Sequence, residues 1–304
     1  MISIIKRISI APFFVFFLFL LSVPADAFIV SPAIKKLYVK PGEQVIEIVA
    51  VTNETNKTII LSPMVENFKP KDTKGMPEFL GDMDTEGAAR WIQLPFKKVT
   101  LAPRERKDFL FKINIPPWAT PGGHYAALFW NTQQDAREGV GSVSRVGSLF
   151  LFGVEGAITG KAVMSNARVV KNKNGGVEGF SYTLTNISNI HVEPQGSIEV
   201  YNFFGRRVAE LPLNVSKSNV LAHSERVFFE PWKKPFVSWG KLRARVRSEF
   251  DFGLPAQEQM IIFYNLPRFA GVKILVGALF ALFIIRKIYK KKQLSKEHKL
   301  ILGS

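Results

Sequence analysis

The sequence predicts an all-β protein, two β-sandwich domains in tandem followed by one transmembrane α-helix. Three observations carry this. Apolar side chains recur at every second position, at Phe109, Phe111, Ile113 and Ile115 and again at Phe180, Tyr182 and Leu184, which puts them on one face of a strand. Proline, glycine and asparagine clusters break these runs at short intervals. Near the end of the chain, Phe269 to Ile285 is apolar except for Lys273, and Arg286, Lys287, Lys290, Lys291 and Lys292 follow at once.

The first 27 residues read as a secretory signal. Lys6 and Arg7 precede an apolar run from Ile8 to Leu21, and Pro24-Ala25-Asp26-Ala27 supplies a small-x-small site, so cleavage is expected after Ala27. An uncleaved anchor is the alternative, and both place the following domains outside the cytoplasm.

The first sandwich is expected over residues 28–160. Val45 to Val51 follows the Pro41-Gly42 turn and ends at Asn53, and Thr58 to Leu61 begins the return. Asp108, Lys112 and Asn114 alternate with the apolar set that starts at Phe109. Pro116 and Pro117 stop that strand, Pro121-Gly122-Gly123 turns the chain, and His124 to Trp130 starts the next strand. Ser148 to Ile158 is apolar enough to be central. Between Lys69 and Arg90 the pattern lapses into a long polar loop. Asp82, Asp84 and Glu86 before Gly87 resemble part of a calcium loop, but no distant bidentate Glu closes the set, so a solvated acidic turn is expected and no metal.

The second sandwich is expected over residues 161–263. Ala167 to Val170 and Val177 to Thr185 flank Asn174-Gly175-Gly176, a hairpin signal. Ser197 to Tyr201 and Val208 to Leu213 flank a turn at Phe203-Phe204-Gly205-Arg206, and Val227 to Phe229 and Leu242 to Val246 complete the set. In the last of these, Arg243, Arg245 and Arg247 share a face, either as a basic stripe for a polyanion or as the solvated side of a half-buried strand.

The membrane helix is expected over residues 267–287 and a basic cytoplasmic tail over 288–304. About 17 to 20 residues at 1.5 Å each cross a ~30 Å hydrocarbon core. Lys273 lies near the outer end, where its stem can carry the ammonium to the headgroups, and the basic cluster marks the cytoplasmic side.

Composition narrows the chemistry. The net charge is +16; the tail from Arg286 holds seven basic residues and one acid, leaving +10 spread along the rest. That spread suits anionic surroundings such as wall polymers or lipid headgroups, or plain solubility, and no nucleic-acid partner is expected. No cysteine is present, so there are no disulfides and no thiol nucleophile. His124, His191, His223 and His298 lack zinc spacing, and no Gly-x-Ser-x-Gly elbow or phosphate-cradling loop occurs. No cofactor and no catalytic residue are therefore expected. Asn53, Asn56, Asn186 and Asn214 each begin an Asn-x-Ser/Thr triplet, read as chance in a chain of bacterial plan. Among the tryptophans (Trp91, Trp118, Trp130, Trp232 and Trp239), Trp118 beside the glycine turn and Trp91 at the end of the long loop are candidate partner contacts. Burial at a strand end is the competing reading, above all for Trp91 and Trp130.

Ser31-Pro32-Ala33, Lys40-Pro41-Gly42-Glu43, the run into Thr52-Asn53, Leu101-Ala102-Pro103-Arg104-Glu105, and Ile115-Pro116 leading to Pro121-Gly122-Gly123 carry a family resemblance. With the signal, the paired β domains, the single helix and the basic tail, the chain resembles the WxL-interacting surface proteins. The same motifs resemble the first domain of pilus chaperones. The resemblance implies two immunoglobulin-like sandwiches, a peptidoglycan-binding first domain and a wall-associated role; it names no site residue. The expectation is a non-catalytic binding or scaffold protein at the bacterial cell membrane, single-pass with its domains outside, engaging cell-wall polymer or another surface protein. One alternative, a membrane-tethered, pilus-chaperone-like assembly factor for secreted subunits, requires an uncovered hydrophobic edge strand in the first domain. The other, a carbohydrate-active enzyme, requires a cleft with facing carboxylates.

Overall fold

The computed structural model describes residues 28–81, 86–132, 144–233, 240–265 and 270–301, with side chains of the final helix described over 275–290. The expected signal segment, Asp82 and Asp84 of the acidic turn, and Trp239 lie outside the described residues. The chain divides into two compact units. One holds the chain up to Phe68 with Phe79–Thr120 and His124–Val154; the other holds Lys69–Glu78, Pro121–Gly123 and the chain from Glu155 onward.

In the first unit, β1 (Phe28–Ser31), β3 (Gln44–Asn53) and β7 (Arg106–Asn114) form a three-stranded antiparallel sheet in the order β1-β3-β7. The facing sheet has six strands. Its path is β2 (Ile34–Val39), β9 (Arg145–Val154), β8 (Gly122–Thr132), β4 (Ile59–Pro70) and β5 (Pro77–Phe79), with β6 (Val99–Leu101) also on β4. Period-two alternation decides the faces as expected. Phe109, Phe111 and Ile113 point inward and are buried, while Leu110 points out. They meet Val49 and Val51 from β3 and Leu61, Leu128, Trp130, Phe150 and Phe152 from the facing sheet. The chain changes sheets between β1 and β2, across a cis Ser31-Pro32 peptide, and β2 then pairs β9 in parallel. The turn before β3 uses Gly42 at φ 79, a left-handed conformation in which a side chain would be strained.

In the second unit, β10 (Ala162–Lys171), β11 (Val177–Asn186) and β14 (Ser224–Pro231) form one sheet in the order β10-β11-β14. The other contains β12 (Gln195–Tyr201), β13 (Arg207–Pro212), β15 (Gly240–Glu249) and β16 (Gln257–Asn265), in the order β13-β12-β15-β16. The expected Asn174-Gly175-Gly176 hairpin joins β10 to β11, with Asn172 accepting from Gly175 and donating to Gly176. β16 has no counterpart among the expected strands: its alternation of Glu258, Met260, Ile262 and Tyr264 outward with Ile261 and Phe263 inward is apolar on both sides.

The helix expected over residues 267–287 has other bounds. A helix, α1 (Ala270–Ile301), is present, but it continues through the basic stretch that was expected to be a separate tail. Among the described residues no helix is long and apolar enough to cross a membrane. The physical reason is the charge spacing: between Lys273 and Arg286 the uncharged run covers only about 18 Å at 1.5 Å per residue.

Three of the four Asn-x-Ser/Thr triplets have a structural role. Asn53, Asn186 and Asn214 are buried. Asn186 donates to the carbonyls of Ile190, Val220 and Leu221 at 2.7, 3.1 and 3.0 Å, and its Oδ1 accepts from the Ser188 N–H and hydroxyl. Asn53 donates to Lys57 and Ala102 carbonyls and accepts from Thr55 N–H. Asn214 donates to Pro194 and Ser218 carbonyls, while its N–H donates to Glu230 at 2.7 Å. In each case the amide ties a strand end to a second loop, and the Ser or Thr two residues on completes the turn.

Asn186→Ala removes the amide's hydrogen bonds at a buried loop crossing and takes from the Ser188 N–H its acceptor, so it is expected to destabilise the second unit by about 3 kcal/mol in urea unfolding. Burial raises the Glu230 carboxyl above its ordinary value of 4.5, against the opposing hydrogen bond from Asn214. A raised carboxyl contributes stability that is complete below the unfolded pKa and is lost as pH rises through the folded one. The Tm of Glu230→Gln should therefore gain on that of the unsubstituted protein as pH rises from about 4 toward neutral; parallel Tm profiles would refute this.

Candidate functional site

Among the described residues, the first unit leaves part of a sheet edge without a paired strand. The β2–β9 register begins at Ile34 opposite Leu149 and ends at Val39 opposite Val154. Residues 145–148 of β9 thus extend past the start of β2 and have no strand beside them on that edge among the described residues. Leu149 donates to the Ala33 carbonyl, so the backbone groups of Leu149 face β2. Both polar groups of one residue point to the same side of a strand and alternate along it, which turns those of Gly147 and Arg145 to the open edge. At the boundary, the Ser148 hydroxyl donates to the Pro32 carbonyl at 2.5 Å.

This edge is held rigidly from behind. Arg145 pairs with Glu66 of β4 at 2.5 Å, and Glu66 is only 5% exposed. The guanidinium lies 3.4 Å from the Phe129 ring centroid and 5.6 Å from that of Phe79, which itself packs edge-on against Phe129 at 4.8 Å. Gly147 has to be small: a Cβ there would lie 2.5 Å from the Leu128 carbonyl oxygen and 2.7 Å from the Phe129 ring. Among the described residues no strand pairs with this stretch of edge, as the chaperone alternative requires. It is short, however, and its side chains are mixed rather than uniformly hydrophobic. Apolar surface lies instead on the outer face of the three-stranded sheet, where exposed Ile48 and Leu110 are cross-strand partners.

The tryptophans separate. Trp118 follows β7 in a turn closed by Ala119 N–H to Pro116 carbonyl, and is 82% exposed. Trp91, expected as a second contact, is corrected: it is 6% exposed, plugs the core from a 3-10 turn, Ala88–Trp91, and sits 5.1 Å from Phe152 and 4.9 Å from His124. Asn67 fixes that turn by accepting from Ala89 N–H.

In the second unit, Arg243, Arg245 and Arg247 share the outer face of β15, and their neighbours differ. Arg247 pairs with Glu249 at 2.8 Å, and Arg245 with Glu258 at 3.4 Å and Glu199 at 3.8 Å. The Tyr201 hydroxyl donating to Glu199, then Arg207 beside it, holds that carboxyl below its usual range. Arg243 has no ion pair among the described residues. It lines a shallow groove of about 270 Å³ with Phe203, Lys241 and Ile262. Among the described residues that groove has no carboxylate in its lining, so these do not supply the facing acids required for glycoside hydrolysis. Among the described residues no group of three or more His, Asp or Glu is placed to hold a metal ion.

No family model matches the chain, and no curated protein matches it. Similar solved structures include the class 5 fimbriae chaperone CfaA, at 12% identity and a TM-score of 0.39 over 79% of this chain and all of that one. The SafB chaperone of Salmonella enterica, in complex with the SafA pilin, is similar at 12% identity and a TM-score of 0.37, over 80% of this chain and 99% of that one. The E. coli chaperone DraB is similar at 9% identity and a TM-score of 0.37, over 78% of this chain and 98% of that one.

The Arg145–Glu66 pair is open to test. Arg145→Met leaves a buried carboxylate uncompensated and is expected to cost about 3 kcal/mol in urea unfolding. Adding Glu66→Gln should recover most of the loss; a double variant no better than the single one would show that the ring contacts, not the ion pair, hold the edge.

Proposed function

We propose that this protein is a non-catalytic, membrane-tethered capture protein that binds an extended segment of another secreted or surface protein by adding it as a strand beside β9. The observation that carries this is the open edge at residues 145–148, where Arg145 and Gly147 turn backbone donors and acceptors outward from a braced strand. Such an edge recognises main chain, and the alternating side chains of the added segment meet the two faces of the sheet. The exposed Ile48–Leu110 face and Trp118 offer further apolar surface on the same unit.

Tethering is supported by α1. Leu275, Val276, Leu279, Phe280, Leu282, Phe283, Ile284 and Ile285 are all exposed, so the apolar run has no cover on any side from the described chain. Hydrocarbon suits an apolar run that the chain leaves bare all round, and the basic residues that follow it from Arg286 suit headgroups.

Backbone amide exchange on the purified full chain tests the capture reading, with an array of extended peptides of alternating apolar and polar residues as the probe. A bound peptide is expected to slow exchange at Arg145 and Gly147 by at least tenfold while Leu151 and Phe152 stay unchanged. Peptides that bind while those two amides exchange freely would move the site elsewhere.

A further inference from the structure

The turn joining β12 to β13 displays two phenylalanines that the fold does not use. Asn202 N–H donates to the Arg206 carbonyl, Gly205 N–H to the Asn202 carbonyl, and Arg206 N–H to the Asn202 side chain, so the turn is fastened at three points. Gly205 takes the left-handed conformation, φ 77, that closes it. On this turn Phe203 and Phe204 are 71% and 88% exposed, their rings edge to face at 5.6 Å.

Strand register shows what shares that end of the sheet. Tyr201 lies opposite Arg243, Arg243 opposite Ile262, Lys241 opposite Tyr264, and Gly240 opposite Asn265. The turn, the cations Lys241 and Arg243, and the exposed Tyr264 therefore gather where β16 ends. Arg206, Lys241 and Arg243 have no ion pair among the described residues. At the other end of the same face Arg247 is paired with Glu249 and lies opposite Glu258. The chain leaves β16 at Asn265 and enters α1 at Ala270, a step that extended backbone spans in at most about 18 Å. Aromatic rings with unpaired cations, held that close to an uncovered apolar helix, have the chemistry of the headgroup layer: rings at the interface and basic groups toward anionic lipid.

We propose that the β12–β13 turn, with Phe203, Phe204 and Arg206, docks together with Lys241, Arg243 and Tyr264 on an anionic lipid surface and sinks its two phenyl rings among the headgroups. This rests on the tethered reading of α1. It adds a second, peripheral contact that fixes how the second unit stands on the membrane.

The absence of native cysteine makes single-site labels clean. Phe204→Cys and Val215→Cys would each carry an environment-sensitive fluorophore on the full chain, reconstituted into phosphatidylcholine vesicles with and without phosphatidylglycerol. Val215 is equally apolar and 71% exposed, but follows the opposite end of β13, where Pro212 pairs with Ser197. The label at position 204 is expected to shift to the blue and be quenched by lipid-borne quenchers, more strongly with phosphatidylglycerol, while that at 215 stays water-like. Arg206→Glu with Lys241→Glu should weaken the lipid-dependent shift about tenfold or more. Flotation after alkaline carbonate reads the tether separately. A water-like label at 204 on protein that still floats overturns the docking and leaves the tether intact. A shifted label on protein that carbonate strips supports the docking and removes the tether. Burial of the label by a soluble polyanion, or by rising protein concentration without lipid, overturns the proposal in favour of a polymer or a second copy.

Discussion

A sandwich without disulfides has to fasten its ends by other means, and here buried asparagine amides do it. An asparagine offers two donors and one oxygen with two lone pairs, so a single side chain can satisfy several backbone groups from different loops. Asn186 reaches three carbonyls and two Ser188 donors; Asn53 and Asn214 each reach two or more loop carbonyls. Each bond adds only about 1 kcal/mol net, but several bonds share one side chain and each buried N–H left without an acceptor costs about 1–3, so the loops around each amide stand or fall together. With the ends held, strand edges and outer faces are left to present surface.

The edge at β9 shows how such surface comes about. It is open because β2 starts opposite Leu149, four residues after β9 does, and β2 starts there because the chain must first leave β1 in the opposite sheet. The exposed strand would fray if nothing braced it. Arg145 braces it by placing one face of its guanidinium on Phe129 and its donors on Glu66, whose burial makes the pair depend on both members. Gly147 lets Phe129 come close enough for this.

These features differ in how far they could be read along the sequence. Alternation at β7 and β11 is a local property with period two, and it gave the inward set correctly, including Phe109, Phe111, Ile113, Phe180, Tyr182 and Leu184. Turn chemistry at Pro41-Gly42 and Asn174-Gly175-Gly176 is equally local. The extent of α1 was not legible, because helical backbone persists through lysines as readily as through leucines, and composition marks a change of solvent rather than a change of backbone. Burial of Trp91 and the roles of Asn53, Asn186 and Asn214 depend on what crosses overhead, His124, Phe152 and distant carbonyls, none adjacent in sequence. The open edge depends on the relative starting points of two strands more than a hundred residues apart, so no local pattern announces it.

The arginine row on β15 makes the same point in electrostatic terms. Three arginines at alternate positions are equivalent in the sequence, and strand order makes them unequal. Position 247 faces Glu258 and holds Glu249; position 245 lies between Glu199 and Glu258; position 243 falls between Tyr201 and Ile262, with no ion pair among the described residues. A paired guanidinium has little left to offer a ligand at the surface, where an ion pair is worth at most about 1 kcal/mol and is screened by salt. An unpaired one beside Phe203 and Lys241 keeps its full field. The net charge of +16 therefore overstates the basic surface along most of this face and understates it at one end, the end from which the chain runs on to its apolar helix.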